Sequence, residues 1–94
     1  MRYALIDLHS GYICWVGNAT TPEMACSYAD YDIGGRANIY NRIPESDAQT
    51  TAGGYEVHEA PADYDCQDGQ DTVDLDRVNR MPLAGYFRRA GHDD

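Results

Sequence analysis

The 94-residue sequence has no lysine, only three cysteines and no long apolar run. Cys14, Cys26 and Cys66 cannot all pair, and none lies in a C-x-x-C spacing, which argues against a disulfide scaffold and a structural zinc site. The longest clearly apolar run, residues 12–16, is far too short to span a bilayer. Because Asp7 precedes any long apolar region, we expect no signal peptide. These absences favour a reducing, cytoplasmic setting and no membrane contact.

The chain also lacks any base within its most acidic stretch. The net charge is -9, and residues 45–76 carry ten acids and no Arg or Lys. Residues 1–44 carry four acids and three Arg, whereas residues 77–94 carry four Arg and two Asp. The acidity is therefore concentrated in one segment. A field of this sign repels nucleic acid and anionic membranes and attracts basic surfaces, so we expect a basic protein partner and no direct binding of nucleic acid.

Two stretches rich in β-branched and aromatic residues predict an N-terminal β-hairpin. Its strands are residues 3–8 (YALIDL) and 12–16 (YICWV), with Ser10-Gly11 at the tip. The expected register makes two pairs across the hairpin: Leu8 with Ile13, and Ile6 with Trp15. Alternation then places these residues on one core face: Ala4, Ile6, Leu8, Ile13 and Trp15. The opposite face holds Asp7, His9, Tyr12 and Cys14.

A helix is predicted next, because Thr21 can cap it, Pro22 suits its first position and Gly34-Gly35 can end it. A capping box of Thr20 and Glu23 is the alternative start. Its i, i+4, i+7 spacing forms one stripe of Met24, Tyr28 and Tyr31. The remaining predicted elements are a strand at 36–43, a loop at 44–54, a strand at 55–60, an acidic stretch at 62–72, a short helix through Val73, Leu75, Val78 and Met81, an apolar anchor of Leu83, Tyr86 and Phe87, and a frayed end at 90–94.

This order of elements predicts a single α+β domain spanning residues 1–94. We expect a small antiparallel sheet, made of the N-terminal β-hairpin and one or two further strands. One or two helices are expected to cover one face of that sheet. The hydrophobic fraction of 43 % is ordinary for a globular protein and supports a folded chain.

The acidic segment is the strongest candidate for a binding surface. Asp65, Asp68, Asp71 and Asp74 recur every third residue, which corresponds to a rise of about 4.5 Å on a helix. Phosphates advance about 3.4 Å along one DNA strand, so the row imitates a phosphate backbone and predicts a basic, nucleic-acid-binding groove as target. The predicted partner-binding residues are Glu56, Glu59, Asp63, Tyr64, Asp65, Asp68, Asp71, Asp74 and Asp76. The alternative is a solvated acidic loop that only promotes solubility.

A divalent-metal site is a second interpretation of the same segment. Residues 63–74 offer oxygens at positions 1, 3, 5, 9 and 12 of a calcium-binding loop. Gly69 falls at position 7 instead of 6, and Asp74 stands where such loops usually carry a bidentate Glu. These departures leave weak, adventitious cation binding as the expectation, so we predict no metal site and no cofactor.

Catalysis is the remaining alternative, and it depends on the hairpin. If Asp7, His9 and Cys14 share a face, they supply the parts of a cysteine nucleophile, although their spacing carries no family signature. His58 lies between Glu56 and Glu59, and we interpret it as a surface histidine whose protonated form these acids favour. The sequence contains no G-x-G-x-x-G and no P-loop. We therefore predict no catalytic residue.

In size, acidity, absence of an enzymatic motif and hairpin-then-helix layout, the chain resembles the small phage-encoded anti-CRISPR inhibitors. The resemblance covers general properties of the whole chain and transfers no functional residue, because that class is diverse in fold. It implies an inhibitor that occupies a nucleic-acid channel or subunit surface of a bacterial CRISPR effector complex. An antitoxin-like partner that neutralises a basic toxin is the other protein-binding alternative.

Overall fold

The computed structural model describes residues 1–50, 53–65 and 72–90. Within these residues the elements are β1 (Arg2–Asp7), β2 (Ile13–Asn18), α1 (Pro22–Gly34), β3 (Tyr40–Ile43), α2 (Glu45–Ala48), β4 (Gly54–Ala60), α3 (Thr72–Asn79) and β5 (Leu83–Arg89). The strands form one antiparallel sheet in the order β2-β1-β4-β5-β3. The predicted α+β class is confirmed. Most of the predicted acidic stretch, at 66–71, and most of the predicted frayed end, at 91–94, lie outside the described residues.

The N-terminal hairpin forms, but its predicted register is wrong. Ile6 lies opposite Ile13 and Leu5 opposite Trp15, with a bulge between Leu5 and Ile6. The Asp7 carboxylate accepts hydrogen bonds from the backbone N–H groups of His9 (2.7 Å) and Ser10 (3.3 Å), which stabilises a longer turn than the predicted two-residue tip. Because a bulge sets two residues against one, Cys14 and Trp15 both pack on the Leu5 side of the sheet. Trp15 is therefore on the face opposite to the predicted one.

Both predicted ends of α1 are confirmed. The Thr21 hydroxyl accepts a hydrogen bond from the Met24 backbone N–H at 3.1 Å, and Pro22 begins the helix. Gly35 has a φ of 74° and donates its N–H to the Tyr31 carbonyl oxygen at 2.7 Å. This left-handed cap favours glycine because L residues with a side chain rarely adopt a positive φ, although the space around Gly35 is open.

α1 contacts the sheet through small side chains. Ala25, Cys26 and Ala29 are fully buried and allow a close approach. They cover large residues of four strands: Tyr3, Leu5, Tyr40, Tyr55, Val57 and Phe87. The predicted stripe faces solvent instead, with Met24, Tyr28 and Tyr31 exposed by 39 %, 41 % and 59 %. The strands already fill the core on this side, which we call the α1 face, so the larger helix residues point outward.

A second cluster lies on the opposite side of the sheet, which we call the α3 face. Ala4 and Ile6 of β1 and Ile13 of β2 pack there against Val78 of α3 and against Tyr64. Helices therefore cover both faces of the sheet, and the prediction of one covered face is wrong. The alternation of Tyr3 and Leu5 with Ala4 and Ile6 along β1 produces both clusters, because successive strand residues point to opposite faces.

The C-terminal part of the described chain is a strand, although the sequence predicted only an apolar anchor. β5 lies between β4 and β3, and Phe87 is fully buried on the α1 face. Gly85, with a φ of 149°, lies at an irregularity where the β4 register shifts between Val57 and His58. The predicted loop at 44–54 contains α2, and β3 begins at Tyr40 instead of residue 36.

Candidate functional site

The described acids of the predicted binding segment divide into exposed and anchored groups. Asp63, Asp65 and Asp76 are exposed. The Asp65 side chain is 69 % exposed and lies 3.6 Å from the Arg2 guanidinium. Arg2 also donates a hydrogen bond from Nε to the Tyr64 carbonyl oxygen. This contact ties the backbone at Tyr64 and Asp65 to β1, so the neighbouring carboxylates project from a fixed position.

Tyr64, which is among the predicted partner-binding residues, is a core residue and does not belong to the exposed surface. Only 3 % of it is exposed, and it packs among the residues of the α3 face. Its hydroxyl donates to the Asp74 carboxylate at 3.3 Å, and the Arg77 guanidinium lies 4.9 Å from the centre of its ring. Tyr64 therefore joins the segment at 61–65 to α3.

Two of the four regularly spaced aspartates lie within the described residues, and they belong to different parts of the chain. Asp65 precedes α3, Asp68 and Asp71 lie outside the described residues, and Asp74 lies within the helix. Asp74 is half-buried and accepts the Tyr64 hydrogen bond, whereas Asp76 is exposed. The comparison with helically spaced phosphates therefore does not extend back to Asp65. The described part of the segment presents acids from two elements joined through Tyr64.

His58 is buried and not on the surface as predicted, with 3 % of the residue exposed. Its Nδ1 lies 3.1 Å from the Met81 carbonyl oxygen, and its Nε2 lies 2.6 Å from a Glu56 carboxylate oxygen. A carbonyl oxygen can only accept, so Nδ1 carries a proton, and when His58 is charged its Nε2 donates a second proton to Glu56. Glu56 is thus half-buried and held in place. Glu59 is half-buried, and its backbone N–H donates to the Pro82 carbonyl oxygen at 2.8 Å.

The charge state of His58 follows from competing effects. Burial lowers its pKa, because a charged ring loses hydration. The hydrogen bonds to Glu56 and to the Met81 carbonyl oxygen, together with the Glu56 charge, act in the opposite direction and prevail. The pKa of His58 is therefore raised above its ordinary value of 6.5. The predicted preference for the protonated form is thus present, but within the core.

The geometry at Cys14 opposes thiolate chemistry. Its thiol faces the Leu5 carbonyl oxygen at 3.6 Å, and the Asp7 carboxylate is already engaged by the turn. Burial, followed by the negative charge of Asp7, raises the pKa of Cys14 to about 12. An acid beside a thiol disfavours the thiolate, whereas a nucleophilic cysteine needs a nearby positive charge. His9 is exposed in the turn.

The metal interpretation has no support within the part of the chain that the structure describes. No group of three or more His, Cys, Asp or Glu side chains converges there in a manner that could hold a metal ion. Asp63 and Asp65 are at the beginning of the candidate calcium loop, residues 63–74, and Asp74 is at its end. The intervening residues 66–71 lie outside the described residues.

The α1 face contains a polar network that the sequence analysis missed. One Asp30 oxygen accepts the Tyr55 hydroxyl at 2.7 Å. The other accepts the Asn38 side-chain amide and the Tyr40 hydroxyl, both at 2.8 Å. Burial and the Asp30 carboxylate raise the pKa values of Tyr40 and Tyr55, so both phenols stay neutral. No local pattern marks this network, because its members come from α1, β3, β4 and the segment between α1 and β3.

Comparisons with protein-family models, with curated proteins and with solved structures found no match for the chain. Among the described helices, none is both long and apolar enough to cross a membrane.

Proposed function

We propose that this chain is a cytoplasmic protein-binding inhibitor whose acidic surface blocks a basic, nucleic-acid-binding surface of another protein. The observation that carries the proposal is the uneven placement of charge. The described part of residues 45–76 contains eight acids and no base. The target class suggested by the resemblance to anti-CRISPR inhibitors is a subunit of a CRISPR effector complex.

The exposed acids have weak internal partners. Arg2 and Asp65 form an ion pair at 3.6 Å with Asp65 largely exposed, and such surface pairs contribute about 0–1 kcal/mol. Asp63 and Asp76, which precede and follow Asp65 in the sequence, are also exposed. Because little internal binding would be lost, these carboxylates can exchange solvent for cationic groups of a partner. Attraction of this kind raises association rates and weakens as salt is added.

The supporting framework favours a defined surface over a freely moving acidic tail. Tyr64 is buried beside Asp63 and Asp65, and its hydroxyl links it to Asp74 of α3. The backbone at residues 63–65 and in α3 is already ordered in the folded chain, so less conformational entropy is lost when a partner binds. A nucleic-acid channel is a suitable target, since it is lined with positive charge that tracks phosphates.

The test is a binding comparison between two triple variants with equal net charge. In the first variant, Asp63, Asp65 and Asp76 are each changed to Asn. In the matched control, Glu23 is changed to Gln and Asp32 and Asp47 to Asn. Each bait is incubated with bacterial lysate containing active CRISPR complexes, and bound proteins are identified and then titrated in purified form at two salt concentrations.

We expect wild type and the control to retain one nucleic-acid-handling protein. The first variant should bind it at least about tenfold more weakly, a change of about 1.4 kcal/mol. Binding by wild type should fall as salt is raised. Equal affinity of the two variants would show that net charge, and not this surface, governs binding. Recovery of a small basic toxin in a one-to-one complex would favour the antitoxin-like alternative instead.

A further inference from the structure

A groove with a volume of about 280 Å³ opens on the α3 face of the sheet, beside α2. Its lining residues are Leu8, Glu45, Ala48, Gln49, Glu56 and Tyr86. Glu56 of β4 and Tyr86 of β5 are direct cross-strand neighbours and contribute the sheet side of the groove. Glu45 and Ala48 of α2, with Gln49 after it, form one wall, and Leu8, which directly follows β1, contributes another.

The lining combines negative charge with apolar surface. It includes two carboxylates, Glu45 and Glu56, and no basic side chain. Both carboxylates act on Tyr86, since burial, then Glu56 and then Glu45 raise the pKa of its phenol. When His58 is protonated it balances Glu56, which leaves the charge of Glu45 uncompensated within the groove. The groove is therefore complementary to a ligand group with one positive charge.

Glu56 is oriented before any ligand arrives. Its side chain is 22 % exposed, and His58 holds one of its oxygens at 2.6 Å. The other carboxylate oxygen takes no part in that contact, and the Glu56 side chain lines the groove. A fixed, half-buried carboxylate loses less conformational entropy on binding than a mobile surface acid does. This feature distinguishes the groove from the exposed acids at Asp63 and Asp76.

We propose that this groove binds a single arginine side chain of the protein partner. A guanidinium fits this lining because its planar fork pairs with carboxylates and stacks on aromatic rings such as that of Tyr86. Leu8 and Ala48 offer apolar contacts to the methylene groups of the same side chain. The inference rests on the proposed function for the identity of the partner, whereas the groove itself can be tested without one.

The first experiment uses the full chain and a small probe. N-acetyl-L-arginine methylamide is titrated into ¹⁵N-labelled protein, and the neutral isostere N-acetyl-L-citrulline methylamide is titrated in parallel. We expect saturable shifts of the backbone amides around residues 45–49, 56 and 86, with a Kd on the order of 1 mM. The citrulline probe should not shift the resonances of those amides. Equal shifts with both probes would overturn the inference, since charge would then not matter.

Paired variants separate specific binding from general attraction. Glu45→Gln and Asp32→Asn each remove one exposed negative charge, but only Glu45 lines the groove. Glu45→Gln should weaken arginine binding about fivefold, the scale of one charge-assisted contact, whereas Asp32→Asn should change it less than twofold. Equal weakening by both would overturn the groove assignment. If the protein binds the arginine probe but retains no partner from lysate, the groove is supported and the proposed function is wrong. If it retains a partner but does not bind the probe, the proposed function is supported and the groove assignment is wrong.

Discussion

The two faces of the sheet bury polar groups of different kinds. On the α1 face, Asp30 accepts hydrogen bonds from two phenols and an amide, none of which changes charge near neutral pH. On the α3 face, His58 and Glu56 share a proton, and Glu56 reaches an open groove. The first arrangement fixes α1 against the sheet. The second keeps an ionisable pair next to the surface where we place partner binding.

Asp30→Ala should produce the largest loss of stability, because it removes the acceptor of three hydrogen bonds at once. We expect the free energy of unfolding to fall by about 3 kcal/mol, since the buried Tyr55 hydroxyl would lose its acceptor and the buried Tyr40 hydroxyl would keep only its contact with Arg89. Urea denaturation measures this loss. Asp32→Ala is the matched control, because exposed Asp32 accepts one bond, from the Trp15 indole at 2.7 Å. A similar loss in both variants would contradict a special role of the Asp30 network.

Glu56→Gln should make stability less dependent on pH and lower it by about 2 kcal/mol at pH 6, because the buried His58 loses its charged partner. The pKa of His58 is raised on folding. The native state therefore holds the extra proton more tightly than the unfolded chain. This stabilisation is complete below the ordinary pKa of 6.5 and is lost as pH rises through the higher folded-state pKa.

Urea denaturation between pH 5.5 and 8.5 tests that sign. The free energy of unfolding of wild type should fall with rising pH, with a slope of at most about 1.4 kcal/mol per pH unit for one proton. The slope should be smaller in Glu56→Gln and unchanged in His9→Gln, since His9 is exposed in the turn. A wild-type stability that increases across this range would contradict the arrangement on the α3 face.

The same contrast explains which parts of the molecule the sequence could predict. Thr21, Pro22 and Gly35 define α1 through contacts within a few residues, so both ends of the helix were predictable. The position of Trp15 depends on a bulge, and β5 depends on pairing with two distant strands. A single sequence carries no signal for such pairings, because strand order is decided by the packing of the whole sheet.

The candidate site follows the same rule. The excess of acid over base in residues 45–76 is visible in the sequence. The burial of Tyr64 and of His58 is not visible, since it depends on how distant parts of the chain pack on this face of the sheet. His58 is two residues from Glu56 on the same strand, so the two side chains share a face. That spacing was the available clue, but it did not indicate that the face would be buried.

Tyr55→Phe and Tyr86→Phe form the finest comparison of the two faces, because each removes one hydroxyl from neighbouring strands. Tyr55 is 7 % exposed and donates to Asp30 at 2.7 Å, so its loss should cost about 1.5 kcal/mol. Tyr86 is half-buried and lines the open groove, where water can replace its hydroxyl, so we expect a change below about 0.5 kcal/mol. Urea denaturation of both variants at pH 7 provides the measurement.

Equal losses would show that the groove side is as tightly ordered as the α1 face. Tyr86→Phe keeps the aromatic ring on which a guanidinium can stack, so we expect this variant to bind the arginine probe as tightly as wild type does. That result would assign recognition of the probe to the carboxylates and the ring, and not to the phenol hydroxyl.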